Sequence, residues 1–422
     1  MNMGMVSLFA LAVAIILGFI RKSNVGIISI GMALIIAVVY HIKTGDIMKG
    51  FSTSLFLTMT GVSYLFSIVT ENRTLAVVAA KLIQLAGKHR MLIYLVMFAC
   101  GFIICAVGPG AIPSLAIIPV LAIPVAVEAG INPVLLCLAG QMGVQGGRMS
   151  PITPESAVVL KLMQDQSLST SAGTVPILYC LLLTEVFLFL STFVYFKGWK
   201  FTEVEAREDV DASLQLNKEQ IISLIALVVM ILCVLVLKMN VGLTSFLIGS
   251  VLILLGIGKE GKTIKSIPWN VIFMVLGVGV LMNIVVLSGG IKLLANSISY
   301  LMSTSTASAV MVCISGFMSF FSSGLGVVFP TLIPTCSKIV ENLPGVNPVE
   351  LVSMVVIGGT ITGFSPISTA GALIMASISS DEEQAEKYPQ NKLFVDLFVV
   401  AFLALIVSSV LGFLGIYTMI LK

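Results

Sequence analysis

The sequence predicts an all-α polytopic membrane protein built from two inverted repeats. Three observations carry that expectation. Of the 422 residues, 58% are hydrophobic and only 10% are charged, with a mean hydropathy of +1.11, whereas a soluble domain carries roughly 25% charged residues. Many apolar runs reach the ~20 residues that a bilayer crossing needs. An interrupted helix then occurs twice, at Gly140–Val158 (GQMGVQGGRMSPITPESAV) and at Gly358–Ala372 (GGTITGFSPISTAGA). The two lie 215 residues apart, so that Gly143, Ser150, Pro151, Ile152 and Ala157 meet Gly358, Ser365, Pro366, Ile367 and Ala372.

The interruption has a physical cause. Pro151 and Pro154 supply no amide hydrogen, and the glycines tolerate non-helical dihedrals. In a hydrophobic chain, irregular backbone is tolerated only where it is buried in protein or lines a polar cavity. The rest of the chain is organised around these two breaks.

Composition excludes several classes. The net charge is +3, and no basic patch with interleaved aromatics occurs, so nucleic acid is not an expected partner. The seven cysteines (Cys100, Cys105, Cys137, Cys180, Cys233, Cys313 and Cys336) lie mostly in apolar segments and form no CxxC pair. They read as small core residues. His41 and His89 fall at segment ends, so no histidine metal cluster is expected. There is no HExxH, no GxGD, no paired aspartates and no nucleophile with a nearby histidine. No catalytic residue and no enzyme activity is expected.

Taken in order, crossings are expected over residues 3–20, 24–40 and 51–70. The first lacks a basic leader ahead of Arg21 and reads as a retained span rather than a cleaved signal peptide. In Asn72–Arg90, Lys81 and Lys88 stand seven apart on one helix face, which suggests a helix lying along the interface. Residues 91–127 carry a Gly/Pro cluster at their middle (AVGPGAIPS). With arms of about 15 residues, they read as a re-entrant hairpin whose tip stops inside the bilayer. The first interrupted helix follows Asn132-Pro133, and a last span covers 174–196. Residues 198–219, with Glu203, Glu205, Arg207, Glu208, Asp209 and Asp211, read as a solvated cytoplasmic linker.

The pattern then recurs. Spans at 220–237, 241–257 and 270–288 precede Gly289–Thr306, the counterpart of the interfacial helix, and a second hairpin over 307–340. The same offset aligns Gly101-Phe102 with Gly316-Phe317, Pro119 with Pro334, and Asn132-Pro133 with Asn347-Pro348. Repeat 1 is therefore 1–197 and repeat 2 is 220–422. Five crossings per half place the second half upside down. Inverted repeats with interrupted helices are the architecture of secondary transporters, and such helices point to the binding site. Of the 23 Lys and Arg residues, 15 fall on the side holding the 21–24, 71–91, 197–219, 258–269 and 378–392 loops, 7 on the other, and Arg148 inside the membrane. The richer side is expected to be cytoplasmic, with both termini outside.

The breaks carry candidate site residues. Each aims one helix N-terminus, suited to an anion, and one C-terminus, suited to a cation, into a gap. Hydroxyls of Ser150, Thr153, Ser156, Thr360, Thr362, Ser365, Ser368 and Thr369 can ligate sodium or bond carboxylate oxygens, although hydroxyls in apolar helices often bond their own backbone instead. For substrate we expect Ser150, Thr153, Thr362, Ser365 and Ser368. For sodium we expect Ser150, Thr360, Ser365 and Thr369, with carbonyls near Gly146 and Ile361. Arg148 and Glu155 correspond to Gly363 and Ala370, so charge is confined to the first break. A central arginine costs on the order of 2.5–3.5 kcal/mol even on the lenient insertion scale. Two readings follow: an Arg148–Glu155 pair closing the loop, or a fork for a substrate carboxylate with Glu155 as the coupling site. Glu185 and Asp396, each within a last span, are weaker candidates.

Residues 56–160, through GGRMSPITPESAVV, resemble the N-terminal region of the malonate carrier (MatC-type) permeases. More broadly, the chain resembles the divalent anion:sodium symporters of the ion transporter superfamily. The resemblance implies a homodimer with a scaffold domain and an elevator-like transport domain, and hairpin tips that meet the substrate. Gly108 and Gly110 occupy one tip, Ser322 and Ser323 the other. Those symporters carry Ser-Asn-Thr at both tips, and this chain does not. The expected activity is secondary transport of a small organic dianion such as malonate, succinate or malate, coupled to sodium or protons across the inner membrane. The alternative is a sodium/proton antiporter of the same superfamily, which needs membrane carboxylates at the breaks, and only Glu155 qualifies.

Overall fold

Five helices begin at an asparagine whose side-chain oxygen accepts amides of the first turn: Asn24, Asn132, Asn217, Asn240 and Asn347. This is the strongest local start signal in so apolar a chain. Asn132 and Asn347 are each followed by proline at the first helical position, where a missing amide hydrogen does no harm. The structure, a computed structural model, describes residues 3–21, 23–75, 77, 78, 81, 89–168, 171–201, 216–237, 239–321, 323–366, 368–379 and 382–421. Among them there is no strand. The interfacial helix expected around Lys81 and Lys88, the charged run of the linker, Ser322 and Ile367 lie outside the described residues, apart from Lys81 itself.

The first half comprises α1 (Met3–Arg21), α2 (Val25–Val39), α3 (Thr44–Met48), α4 (Thr53–Glu71), α5 (Arg90–Ala106), α6 (Ala111–Ala129), α7 (Pro133–Gly147), α8 (Pro154–Asp165) and α9 (Val175–Tyr195). The second comprises α10 (Lys218–Leu235), α11 (Val241–Leu254), α12 (Glu260–Ser266), α13 (Trp269–Leu287), α14 (Gly290–Ser299), α15 (Ala307–Phe321), α16 (Phe329–Asn342), α17 (Pro348–Ile361), α18 (Thr369–Ser379), α19 (Glu382–Lys387), α20 (Gln390–Phe413) and α21 (Ile416–Ile420). A π-turn over Gly324–Val328 leads into α16.

Packing repeats between the halves with the partners exchanged. Gly61 of α4 lies against Gly242 of α11, and Gly26 of α2 against Gly277 of α13, each where a Cβ would meet the other helix's backbone. Shifting by 216 residues turns the first contact into the second. Only glycine allows two backbones to approach this closely, so the same pair of small residues secures both crossings. Exchange of this kind is what a two-fold relation between the halves produces. The helices α1, α2, α3 and α13 also share a hydrophobic cluster separate from the main core.

Two features differ from expectation. Among the described residues, six helices are long and apolar enough to cross a membrane, or seven with the bent α15–α16 pair, fewer than the ten crossings expected. The helices α2 and α11 have only 15 and 14 residues, and a short span is accommodated by its flanks and by local thinning of the bilayer. The hairpin arms α5 and α6 have 17 and 19 residues rather than about 15, so α6 passes the length test for a crossing by itself. The second hairpin bends by 118° across its tip.

Candidate functional site

The helix α7 is buried at all of its 15 positions. It ends at Arg148, and the break to α8 is closed by hydroxyls. Thr153 donates to the carbonyls of Arg148 (2.6 Å) and Ser150 (2.9 Å) and accepts from the Ser156 amide, which caps α8. Ser150 donates to the Ala106 carbonyl at 2.7 Å, pinning the break to the end of α5. These two hydroxyls are satisfied by backbone, as hydroxyls in apolar helices commonly are.

Glu155 holds the hairpin tip. Its Oε1 accepts from the Ala111 amide at 2.7 Å, and a carboxylate at a helix N-terminus is doubly favoured, by the hydrogen bond and by the dipole. Gly110, with φ of +80°, presents no Cβ where that carboxylate sits, and Gly108, with φ of +141°, lies against the Phe66 ring. Glu155 Oε2 is buried without a partner. A small crevice of about 20 Å³ opens beside it, lined by Met59, Ser63, Pro109, Pro154, Glu155 and Leu325 among others.

No ion pair joins Arg148 to Glu155 among the described residues, so the loop-closing pair is not formed. Arg148 turns toward the second break instead. Its Nη1 donates to Gln145 Oε1 and to Thr360 Oγ1, both at 3.2 Å. Its guanidinium lies 5.8 Å from the centre of the Phe329 ring, a cation–π arrangement. Arg148 is 7% exposed and its Nε has no hydrogen-bond partner. A buried guanidinium with five donors and no carboxylate in hydrogen-bond contact is only partly satisfied.

The second break is built differently. Thr360 accepts from Arg148. Ser368 donates to the Ser365 carbonyl at 3.0 Å and to the Gly363 carbonyl. The hydroxyls of Thr362 and Ser365 are buried with no partner, in contrast to Ser150, the counterpart of Ser365. Thr369 is exposed, away from that pair. Gly146 packs against Leu182 of α9. Ser323 accepts from the Gly326 amide at 3.0 Å and starts the π-turn. The structure therefore brings Arg148 to Thr360, while Thr362 and Ser365 lie buried within the second break. Ser150, Thr153 and Ser368 are used in bonding backbone.

Sequence reasoning missed Gln145, Gln141 and Phe329. Gln141 donates to the carbonyls of Leu115 and Ala370, linking α7 to α6 and α18. The two glutamines stand four apart, and Arg148 three further on, so all three share a face. That signal was present, whereas nothing in the sequence marks Phe329.

Residues 1–148 match the family described as the dicarboxylate carrier protein MatC N-terminus, and residues 238–422 match the citrate transporter family. No curated protein matches the chain. Among solved structures, the chain is similar to the YdaH transporter of Alcanivorax borkumensis, with 15% identity, a TM-score of 0.59, and coverage of 90% of this chain and 88% of that one. It is also similar to MtrF of Neisseria gonorrhoeae, described as illuminating a class of antimetabolite efflux pumps, with 15% identity, a TM-score of 0.60, and coverage of 90% and 84%. At that identity the likeness is one of fold.

Proposed function

We propose that this chain, whose residues 1–148 and 238–422 match the dicarboxylate carrier and citrate transporter families, is a membrane transporter that carries small organic dianions by cation-coupled secondary transport. The substrates are C3 or C4 dicarboxylates such as malonate, succinate and malate. The observation that carries this reading is Arg148, buried at the end of α7, hydrogen-bonded to neutral groups and in ion-pair contact with no carboxylate among the described residues. A substrate carboxylate supplies the missing acceptor in fork geometry, and helix N-termini at the breaks favour the negative charge.

For the coupling cation, the unpartnered hydroxyls of Thr362 and Ser365 support a sodium position at the second break. Ser150 and Thr153 lend it less support, because their hydroxyls already bond carbonyls. Protons are the other candidate. The antiporter alternative relies on Glu155, which instead accepts the Ala111 amide, so anion carriage is favoured.

In this reading repeats 1–197 and 220–422 sit inverted in the inner membrane, joined by the cytoplasmic 198–219 linker, with both termini outside. The helix pairs α4–α11 and α2–α13 form a scaffold and the dimer, while the hairpins and breaks move as an elevator. The separate cluster of α1, α2, α3 and α13 supports that division for the α2–α13 pair, whereas α4 and α11 share the main core with the hairpins and breaks. The test is uptake of labelled malonate, succinate, malate and citrate into proteoliposomes under sodium and proton gradients imposed separately. Accumulation driven by either gradient supports the proposal, and uptake of none of the four anions overturns it.

A further inference from the structure

Helix α9 carries one acidic residue, Glu185, in an otherwise uncharged apolar run (VPILYCLLLTEVFLFLSTFVY). It is fully buried, and neither carboxyl oxygen has a hydrogen-bond partner. Glu155 has a task at the hairpin tip, whereas Glu185 caps no helix and joins no ion pair among the described residues. Its Cβ lies 3.8 Å from where a Cβ at Gly146 would stand, against the end of α7 and two residues before Arg148.

The helices α5, α7, α17, α20 and α21 pack on α9. On α5, Tyr94 and Phe98 meet Phe193 and Phe189 of α9; Arg90 lies over the Phe201 ring, and Cys100 and Cys105 are buried. The helix α7 has no charged residue. Glu350 at the start of α17 is held by the hydroxyls of Ser308 and Thr418. On α20, Lys392 is exposed and Asp396 accepts from Tyr195. Tyr417 of α21 bonds Thr184 at 2.9 Å and is within electrostatic reach of Glu185. Tyr179, Cys180 and Tyr195 are the other titratable groups on α9 itself. The formal charge that reaches Glu185 is that of Arg148.

We propose that Glu185 is a proton-binding site linked to anion binding at Arg148, an inference that rests on the anion reading above. An isolated carboxylate cannot be sustained in such surroundings without a compensating charge. With the site empty, Arg148 supplies that charge. When a substrate carboxylate takes Arg148, Glu185 loses its counter-charge and takes one proton, forming a single O–H bond. When the anion leaves, the proton is released to the side then open to water. Proton and anion binding therefore favour each other, and by reciprocity the anion binds more tightly as pH falls.

The test uses the purified full-length protein, with malonate as the probe. Infrared difference spectra across a pH jump, taken without any anion, should show the carbonyl stretch of a protonated carboxyl group that lacks hydrogen bonds. The band should be absent from Glu185→Gln and displaced in Glu185→Asp, which keeps the acid on a shorter side chain. The ratio of the malonate Kd of the wild type to that of Glu185→Gln should rise roughly tenfold from acid to alkaline pH. Malonate's own titration cancels in that ratio. Glu185→Gln should exchange malonate but not accumulate it under a pH gradient. A band that survives in Glu185→Gln, or a ratio flat with pH, overturns the proposal. If malonate fails to bind the wild type while the band behaves as expected, the anion reading falls and the proton site stands.

Discussion

The Arg148 guanidinium donates to the Thr360 hydroxyl at 3.2 Å, across 212 residues of sequence. The bond joins the ends of α7 and α17, the two helices that break. Shifting both partners by 215 residues exchanges the halves and gives Gln145 against Gly363. That contact is present too, with the Gln145 amide 3.1 Å from where a Cβ at Gly363 would lie. The ends of the two interrupted helices thus meet through a pair of contacts that correspond with the halves exchanged. Only the first of the two breaks carries a charge, Arg148 and Glu155 standing where the second has Gly363 and Ala370.

Glu155 is expected to matter first for the hairpin. Glu155→Ala leaves the Ala111 amide buried and unpaired, which costs roughly 1–3 kcal/mol. Glu155→Gln keeps an acceptor and should cost less than about 1 kcal/mol. Thermal unfolding of the detergent-solubilised variants checks this. Equal losses in the two would show that the hydrogen bond to Ala111 contributes nothing.

The glycine contacts should be equivalent across the two halves. Gly61→Ala or Gly242→Ala pushes α4 from α11, and Gly26→Ala or Gly277→Ala pushes α2 from α13, each at roughly 1–3 kcal/mol of overpacking. Similar thermal destabilisation in all four variants is the expected outcome. A large loss from one pair and none from the other would deny the two-fold exchange.

Ser150 and Ser365 correspond in sequence but not in bonding. Ser150→Ala removes a bond to the Ala106 carbonyl, so its effect should appear as lost stability of about 1 kcal/mol. Ser365→Ala removes a hydroxyl without a partner, so stability should hold while the sodium dependence of uptake weakens. Uptake assays at varied sodium, alongside melting curves, separate the two. Unchanged sodium dependence in Ser365→Ala would remove the second break as the sodium position.

Much of this site was legible in the sequence, for reasons particular to its residues. Pro151, Pro154 and Pro366 cannot continue a helix, so the breaks announced themselves, and Asn132-Pro133 and Asn347-Pro348 marked where each interrupted helix starts. Arg148 stood out because a charge in an apolar run is costly. Its partners were not legible. Glu155, seven residues on, was the natural counter-ion by sequence distance. Its place at the start of α8 instead turns it toward Ala111, while Arg148, at the end of α7, turns toward α17. Which hydroxyls are free also depended on tertiary contacts, because Ser150 and Ser365 read identically until the Ala106 carbonyl is seen beside one of them. Helix length misled in the hairpin, where α6 is long enough to cross and yet starts beside a break.

Orientation is tested by single cysteines in a cysteine-free background. At positions 205 and 262 they should be protected in intact cells from an impermeant reagent, and at 422 a cysteine should react. The opposite pattern would invert the topology read from the distribution of Lys and Arg.

The central claim is that Arg148 binds the substrate carboxylate. Malonate binding to the purified protein tests it most directly, with thermal stability measured on the same samples. Arg148→Lys keeps the charge but loses the fork, and should raise the Kd about tenfold or more. Arg148→Ala should show no measurable binding yet remain folded, since it removes a buried cation that is only partly satisfied. Adding Glu155→Ala to Arg148→Ala should not restore binding. Wild-type malonate affinity in Arg148→Ala would contradict the account.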